Sequence, residues 1–417
     1  MLDLKYVDNV FTIKVARAKI GIGSTNEVTC ELRRRSSKKV LIVCGENLYK
    51  RTGVVSNVVK LLKSEGVDAY VWSGVIPEPT LDSIFEGVKY AMDIMPDTII
   101  GIGGGSAIDS AKLINLYLTY PASDPLEYIP HPVGRGKPIP GPLKPLIAIP
   151  TTAGSGSETT PTAVISVKEY EVKFGITNEY LMPSLAIVDP LNTLSMPQHV
   201  TASTGLDALM HAIEAYTART YSTRQRPDDV CLRPAYVGSN PFTDALAEKS
   251  IELISKYLRR AYNNGLDLEA RYWMSLASYL AGIALGNAGT HISHAISLVL
   301  GGITNAPHGV CAALTAPALL DVLANVIPER VARIYELLGG NEGGSVKEKA
   351  LRASNMVKEL MSELEVPNGL LELGIKEEQI PLIAERTLMM RRLLAQSPIE
   401  VSKGVIEKIL RKSLSLW

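Results

Sequence analysis

TIIGIGGGSAIDSAK, residues Thr98–Lys112, runs from a β-rich apolar stretch through three consecutive glycines into a segment with helical spacing. A strand that turns directly into a helix is the repeating unit of an α/β fold, in which each helix returns the chain to the next parallel strand. One glycine is enough for a tight turn that needs positive φ. Three in a row also let the backbone approach an anion, and the N–H groups at a helix N-terminus favour phosphate through hydrogen bonds and the helix dipole. Ser106 is placed to cap this helix, and Asp109 three residues later completes a capping-box spacing.

Outward from this turn the pattern repeats. KVLIVC (Lys39–Cys44), VDAYVW (Val67–Trp72) and PLIAIPTT (Pro145–Thr152) are short β-rich runs, with amphipathic stretches such as GVVSNVVKLLKSEG (Gly53–Gly66) between them. Apolar strands alternating with helices predict a parallel sheet covered on both faces. AVISVKEYEVKFGI (Ala163–Ile176) alternates around a polar middle and predicts a β-hairpin, followed by a strand at LAIVDP. From Pro197 onward helical periods dominate. The 417 residues exceed what one core usually supports, so we expect two domains. These are an α/β domain over 1–195 with a parallel nucleotide-binding sheet, and an all-α domain over 196–417.

A second small-residue loop, TTAGSGSETT (Thr151–Thr160), also follows a strand. The hydroxyls of Thr151, Thr152 and Ser155 suit a phosphate or a nicotinamide ribose; a polar turn is the plainer reading. The G-x-G-x-x-G pattern with an acid about 20 residues further on is absent, so an ordinary Rossmann domain is not indicated. HPVGRGKPIPGPLKP (His131–Pro145) reads as a rigid surface loop or a substrate lid.

Lysine plus arginine equals aspartate plus glutamate at 43 each, and nothing in that balance calls for nucleic acid or an anionic membrane. A small-molecule ligand fits better, with a homo-oligomer, first a dimer, as the expected assembly. Cys30, Cys44, Cys231 and Cys311 are scattered without a C-x-x-C pair, which argues against a disulfide framework or thiolate zinc site and sets a reducing cytoplasm as the expectation. The N-terminal stretch MLDLKYVDNVFTIKVARAKIG lacks the continuous apolar core of a signal peptide and reads as a first strand or two. From Tyr272 to Leu320 there is no charged residue. Glycines, asparagines and Pro307 interrupt this run and no basic cluster flanks it, so it reads as a buried core and not as a membrane span.

Within that run lie His291, His294 and His308. A buried imidazole must be hydrogen-bonded or ligated to offset its desolvation. GLDALMHAIEAY places Asp207 and His211 four residues apart, on one helix face. Each histidine alone reads as a satisfied core residue, and the Asp–His pair alone as a hydrogen bond. Asp207, His211, His294 and His308 together form a compact set for Fe²⁺ or Zn²⁺ that leaves a position open for a substrate oxygen. A metal beside a nicotinamide, in a cleft between the domains, predicts hydride transfer: the ion favours an alkoxide in one direction and polarises a carbonyl in the other. No catalytic serine or cysteine is needed.

Through GGGSAIDSAK, PTTAGSGSE, GLDALMHAIEAY, SHAISLVLGG and PHGVCAAL, in that order, the chain resembles the iron-dependent (group III) alcohol dehydrogenase family along nearly its whole length. The resemblance implies a dehydroquinate synthase-like fold, with Asp207, His211, His294 and His308 as metal ligands. It also implies Gly104, Gly105, Ser106, Thr151, Thr152 and Lys173 at the dinucleotide, NAD or NADP. His291 has no ligand counterpart and reads as a capping or hydrogen-bonded residue at the start of a helix.

Two departures from the family pattern stand out. Many members carry a further histidine one turn after the third ligand; here that position is Leu298, so proton transfer falls to water, cofactor hydroxyls or His291. Where NAD-preferring members often place an aspartate against the ribose, this chain has Gly45, with Glu46, Lys50 and Arg51 close by, which opens the way to NADP. The loops around Asp124–Thr152 and Arg233–Ala247, and the segment GNAGTHISHAIS, look like the family's hydroxyacid-oxoacid transhydrogenase branch. That branch passes hydride from 4-hydroxybutyrate to 2-oxoglutarate through a retained nucleotide. Arg135, Lys137 and Arg233 in these loops either hold substrate carboxylates or are solvated loop charges. A dehydroquinate synthase-type lyase shares the fold, but it would want a metal set containing glutamate. A non-enzymatic binding module leaves four buried metal-competent side chains without a task.

Overall fold

Short runs of branched aliphatic residues form a single parallel sheet in the computed structural model, which describes residues 7–167 and 172–417. Its strands are β1 (Ala18–Ile20), β2 (Lys39–Gly45), β3 (Asp68–Val75), β4 (Thr98–Gly103), β5 (Leu146–Pro150) and β8 (Leu185–Val188). The spatial order is β1-β8-β5-β4-β2-β3, and every neighbouring pair is parallel. β4, β5 and β8 are buried along their whole length, as expected of a sheet with helices on both faces. Val40, Ile42, Ile100, Ile102, Ile147, Ile149 and Ile187 share one core with Val28, Val55, Val58 and Leu62 from flanking helices. Each such side chain contributes on the order of 1.5–3 kcal/mol by leaving water.

The strand order reverses between β2 and β4. The chain steps outward from β2 to β3, crosses back to β4 on the other side of β2, and continues through β5 to β8. In open α/β sheets the crevice at the carboxyl ends of the strands at such a switch point is where ligands bind. Gly45 ends β2 and Gly103 ends β4, so the glycine loop lies at that crevice.

The expected hairpin is present as β6 (Thr162–Val167) and β7 (Val172–Thr177), antiparallel with Thr162 opposite Thr177. Its polar turn, 168–171, lies outside the described residues. Of the N-terminal strands expected from sequence, the described residues show β1 and an isolated bridge between Val7 and Gln225; the first six residues lie outside them.

The chain divides into two units, one of Val15–Pro197 with Gly265–Tyr279, the other of Met1–Lys14, Gln198–Asn264 and Leu280–Trp417. The first carries the sheet. The second is built of helices, among them Gln198–Thr217, Pro241–Asn263, Ile292–Thr304 and His308–Leu314. The uncharged run supplies its interior: Ala281, Ala284, Ala288, Ile292, Ala295, Ile296, Val299 and Leu300 are sealed from solvent. Among the described residues no helix is long and apolar enough to cross a membrane.

Candidate metal centre and nucleotide loops

The helix Gln198–Thr217 aligns three side chains at intervals of four and three residues: Asp207, His211 and Glu214. All three are buried, at 6%, 5% and 0% exposure. The segment that follows the glycine bend at Gly289 brings His291 and His294 to the same row, and the next helix opens with His308. Around Asp207 Oδ1 stand His211 Nε2 at 3.7 Å, His294 Nε2 at 3.7 Å and His308 Nε2 at 3.8 Å. The His211 and His294 rings stack with centroids 4.7 Å apart. Glycine is required beside His308, since a methyl group on Gly309 would lie 2.0 Å from the Ser203 carbonyl and 2.8 Å from the Asp207 Cβ.

Asp207 Oδ1 and His294 Nε2 are both buried and have no hydrogen-bond partner. Orphaned polar atoms at such depth are costly unless something else satisfies them. Burial pushes the Asp207 carboxyl up, but His211, His308 and His294 together outweigh it and hold the group well below the usual carboxylate range. Burial pushes the His294 imidazole down, and Asp207 on one side with Glu214 on the other bring it up to about 9. The cluster therefore calls for positive charge at its centre. One carboxylate oxygen and imidazole nitrogens within 4.8 Å of one another, as for Asp207, His211 and His294, are the donor set of a divalent transition metal.

Glu214 has no counterpart in the expectations drawn from sequence. Its Oε1 accepts from Ser293 N at 2.7 Å, and its Oε2 accepts from His294 N at 3.2 Å and from the His294 Nδ1 side. Glu214 thereby caps the Ile292–Thr304 helix from a neighbouring element, because His291 at the N-cap makes no side-chain cap of its own. His291 is hydrogen-bonded, as expected, through Nε2 to Thr217 Oγ1 at 3.0 Å; its Nδ1 lies 3.1 Å from Glu214 Oε1, off the line of a hydrogen bond. The capping role expected for it belongs to Glu214. The signal was in GLDALMHAIEAY, where an acid falls on the Asp207–His211 face at the next turn.

In the sheet unit the two small-residue loops touch. Gly103 has φ 148° and lies so near Ala107 that a methyl group there would come within 2.7 Å of its Cβ. A methyl group on Gly104 would reach within 3.3 Å of Thr152, and one on Gly105 within 2.9 Å of Ser155. Close packing of the second loop is thus a further reason for two of the three glycines, and Ala107 for the third. The helix Gly105–Thr119 begins with Gly104 at its N-cap and no capping side chain, so the expected Ser106 cap is not formed. Ser106 Oγ instead accepts from Glu78 N at 3.4 Å, and Glu78 also pairs with the buried Lys173. Asp109 is turned inward: Ser157 Oγ donates to its Oδ1 and Val164 N to its Oδ2. Its place is behind the loops, where Lys112 Nζ also donates to Ser157 Oγ at 3.1 Å and to the Thr160 and Thr162 carbonyls at 3.0 and 2.6 Å. Gly45 opens the helix Glu46–Arg51, and Glu46 is engaged by Lys50.

Each basic residue considered for substrate carboxylates meets an acid of its own chain. Arg135 pairs with Asp124 at 2.9 Å, Lys137 with Glu127, and Arg233 with Asp8 at 2.8 Å. Leu298 is buried within the Ile292–Thr304 helix.

A parallel sheet with nucleotide-type loops at its switch point, joined in one chain to a helical unit with an Asp–His₃ cluster, is an architecture that known proteins share. Residues 16–190 match the family described as iron-containing alcohol dehydrogenase, and residues 235–414 match the C-terminal part of that family. The chain belongs to the iron-containing alcohol dehydrogenase family, and it is an oxidoreductase of dehydroquinate synthase-like fold. Within the family its similarity is to the hydroxyacid-oxoacid transhydrogenase branch. The mitochondrial hydroxyacid-oxoacid transhydrogenase of Homo sapiens is 36% identical, over 99% of this chain and 91% of that protein. The crystal structure of a 1,3-propanediol oxidoreductase superposes with a TM-score of 0.87 at 31% identity, over 97% of this chain and 100% of that one. An iron-containing alcohol dehydrogenase from Thermococcus thioreducens gives 0.83 at 30% identity, over 97% and 99%.

These relatives correct one expectation. The human, mouse and cattle relatives are mitochondrial proteins, which overturns the cytoplasmic setting read from the thiols. None of the four cysteines is in a disulfide. Free thiols mark a reducing compartment without saying which one.

Proposed function

We propose that this protein is a hydroxyacid-oxoacid transhydrogenase, with a divalent metal held by Asp207, His211, His294 and His308 and a nicotinamide nucleotide at the loops Gly104–Ser106 and Thr151–Ser155. The metal part of this reading rests on the pair of buried, unpartnered atoms, Asp207 Oδ1 and His294 Nε2, at the focus of three imidazoles, and the reaction is supported by the 36% identity to the human hydroxyacid-oxoacid transhydrogenase. When bound, iron polarises the oxygen of the reacting carbon and the nicotinamide carries the hydride.

The chain's own residues do the rest. Asp207 and the histidines fix where the substrate oxygen sits. His308, whose side chain is a third exposed, is the member of the set that faces accessible space. The uncapped N-terminus of Gly105–Thr119 offers backbone N–H groups and the helix dipole to a phosphate. The absence of a carboxylate at Gly45 lowers repulsion toward a 2′-phosphate, which admits NADP beside NAD. With Leu298 in place of an ionisable residue, protons pass through water or cofactor hydroxyls. The protein is expected to assemble as a homodimer.

The test is hydride exchange between 4-hydroxybutyrate and 2-oxoglutarate by purified, iron-loaded protein, with and without added NAD or NADP. Product formed without added nucleotide supports the transhydrogenase. Strict dependence on added nucleotide replaces it with a free-cofactor dehydrogenase of the same family.

A further inference from the structure

We propose that Glu214 is a positioning residue for the metal centre: it sets which nitrogen of His294 faces Asp207 and anchors the helix that carries His294. The proposal rests on the ligand reading above. Glu214 is sealed from solvent, and among the described residues the hydrogen bonds and ion pairs made by its carboxylate go to the segment 291–294. A carboxylate in contact with Nδ1 is satisfied when that nitrogen carries the proton, and this leaves the lone pair on Nε2, the nitrogen 3.7 Å from Asp207 Oδ1.

The same carboxylate accepts from Ser293 N and His294 N, two donors of the first helical turn that have no capping side chain in their own segment. Register is therefore fixed twice, once through the ring and once through the backbone. A carboxylate behind a ligating histidine fixes its tautomer and orientation and raises its basicity, and its loss typically weakens metal binding about 10- to 100-fold. Glutamine is nearly isosteric but cannot serve all these donors. Whichever way the amide is turned, its NH₂ group faces either Ser293 N–H or the two donors of His294.

The experiment measures Zn²⁺ affinity, by competition with a chromophoric chelator, for the full-length wild type, Asp207→Ala and Glu214→Gln. The expected result is tight binding by the wild type, loss in Asp207→Ala, and binding about 10- to 100-fold weaker in a folded Glu214→Gln. No binding by the wild type removes the ligand reading and this proposal with it. Normal wild type and Asp207→Ala results with undiminished affinity in Glu214→Gln overturn this proposal alone. Should Glu214→Gln not fold, ¹⁵N-histidine NMR of the zinc-loaded wild type decides instead. His294 protonated at Nδ1 with Nε2 on the metal supports the proposal, and the reverse tautomer overturns it.

Discussion

At the scale of single residues, the centre depends as much on small groups as on its donors. Gly309 sits beside His308 and against Asp207, with no room for a methyl group. Gly309→Ala should push the Asp207 helix and the His308 helix apart, cost about 1–3 kcal/mol as overpacking does, and reduce metal content. Thermal melts and metal analysis of the purified variant check this, and a variant with normal Tm and full metal content would contradict it. The grouping of Asp207, His211, His294 and His308 was legible in the sequence, because histidines in an uncharged run need a partner, and an aspartate and a histidine at helical spacing complete a set able to hold a metal. Glu214 was passed over although it falls on the same face, since a further acid one turn along a helix ordinarily faces water. Only the structure shows that the face bearing Asp207, His211 and Glu214 meets another helix whose N-terminus needs an acceptor. The partners of Arg135, Lys137 and Arg233 were hidden for the same reason, each ion pair being set by how loops fold back.

At the scale of elements, the second nucleotide loop is held from behind by ionisable groups that are themselves buried. Asp109 and Lys112 come from the helix after the first loop, and Glu158 from the second loop itself. Burial pushes Glu158 up to about 7, and the nearby Lys112 ammonium offsets only part of the effect. A folded state that binds this proton more tightly than the unfolded chain loses stability as pH rises through the interval from the ordinary glutamate value to about 7. Lys112, pushed down to about 8 by the same burial, acts above that interval and with the opposite sign, since stability then rises with pH toward the ordinary lysine value. Between pH 5 and 7 the Tm of Glu158→Gln should therefore fall less than that of the wild type. The difference in stability should reach up to about 3 kcal/mol at the upper end. Parallel slopes in differential scanning calorimetry would show that Glu158 does not titrate there. The strands and the hairpin were readable from their apolar runs and alternation. The packing of Thr152 and Ser155 onto the glycines was not, because it joins segments some fifty residues apart in the sequence.

For the whole molecule, a metal bound only by the folded protein adds to stability by mass action. At a free concentration 100 times Kd the gain is about 2.7 kcal/mol, which for units of this size corresponds to a Tm shift on the order of 5–10 °C. Chelator-treated protein should melt lower by that amount and recover when Fe²⁺ or Zn²⁺ is restored. An unchanged Tm would mean that the Asp–His cluster holds no ion. The sheet has a consequence of another kind. β1 pairs with β8, so residues 18–20 meet their partner only at 186–188, where Asp189 then secures Gly23 and Thr25. During synthesis at roughly 5–20 residues per second, the first strand must wait on the order of ten seconds or more outside the ribosome before its neighbour exists. Lys19 in the middle of β1 and the brevity of that strand keep the waiting edge a poor template for other chains.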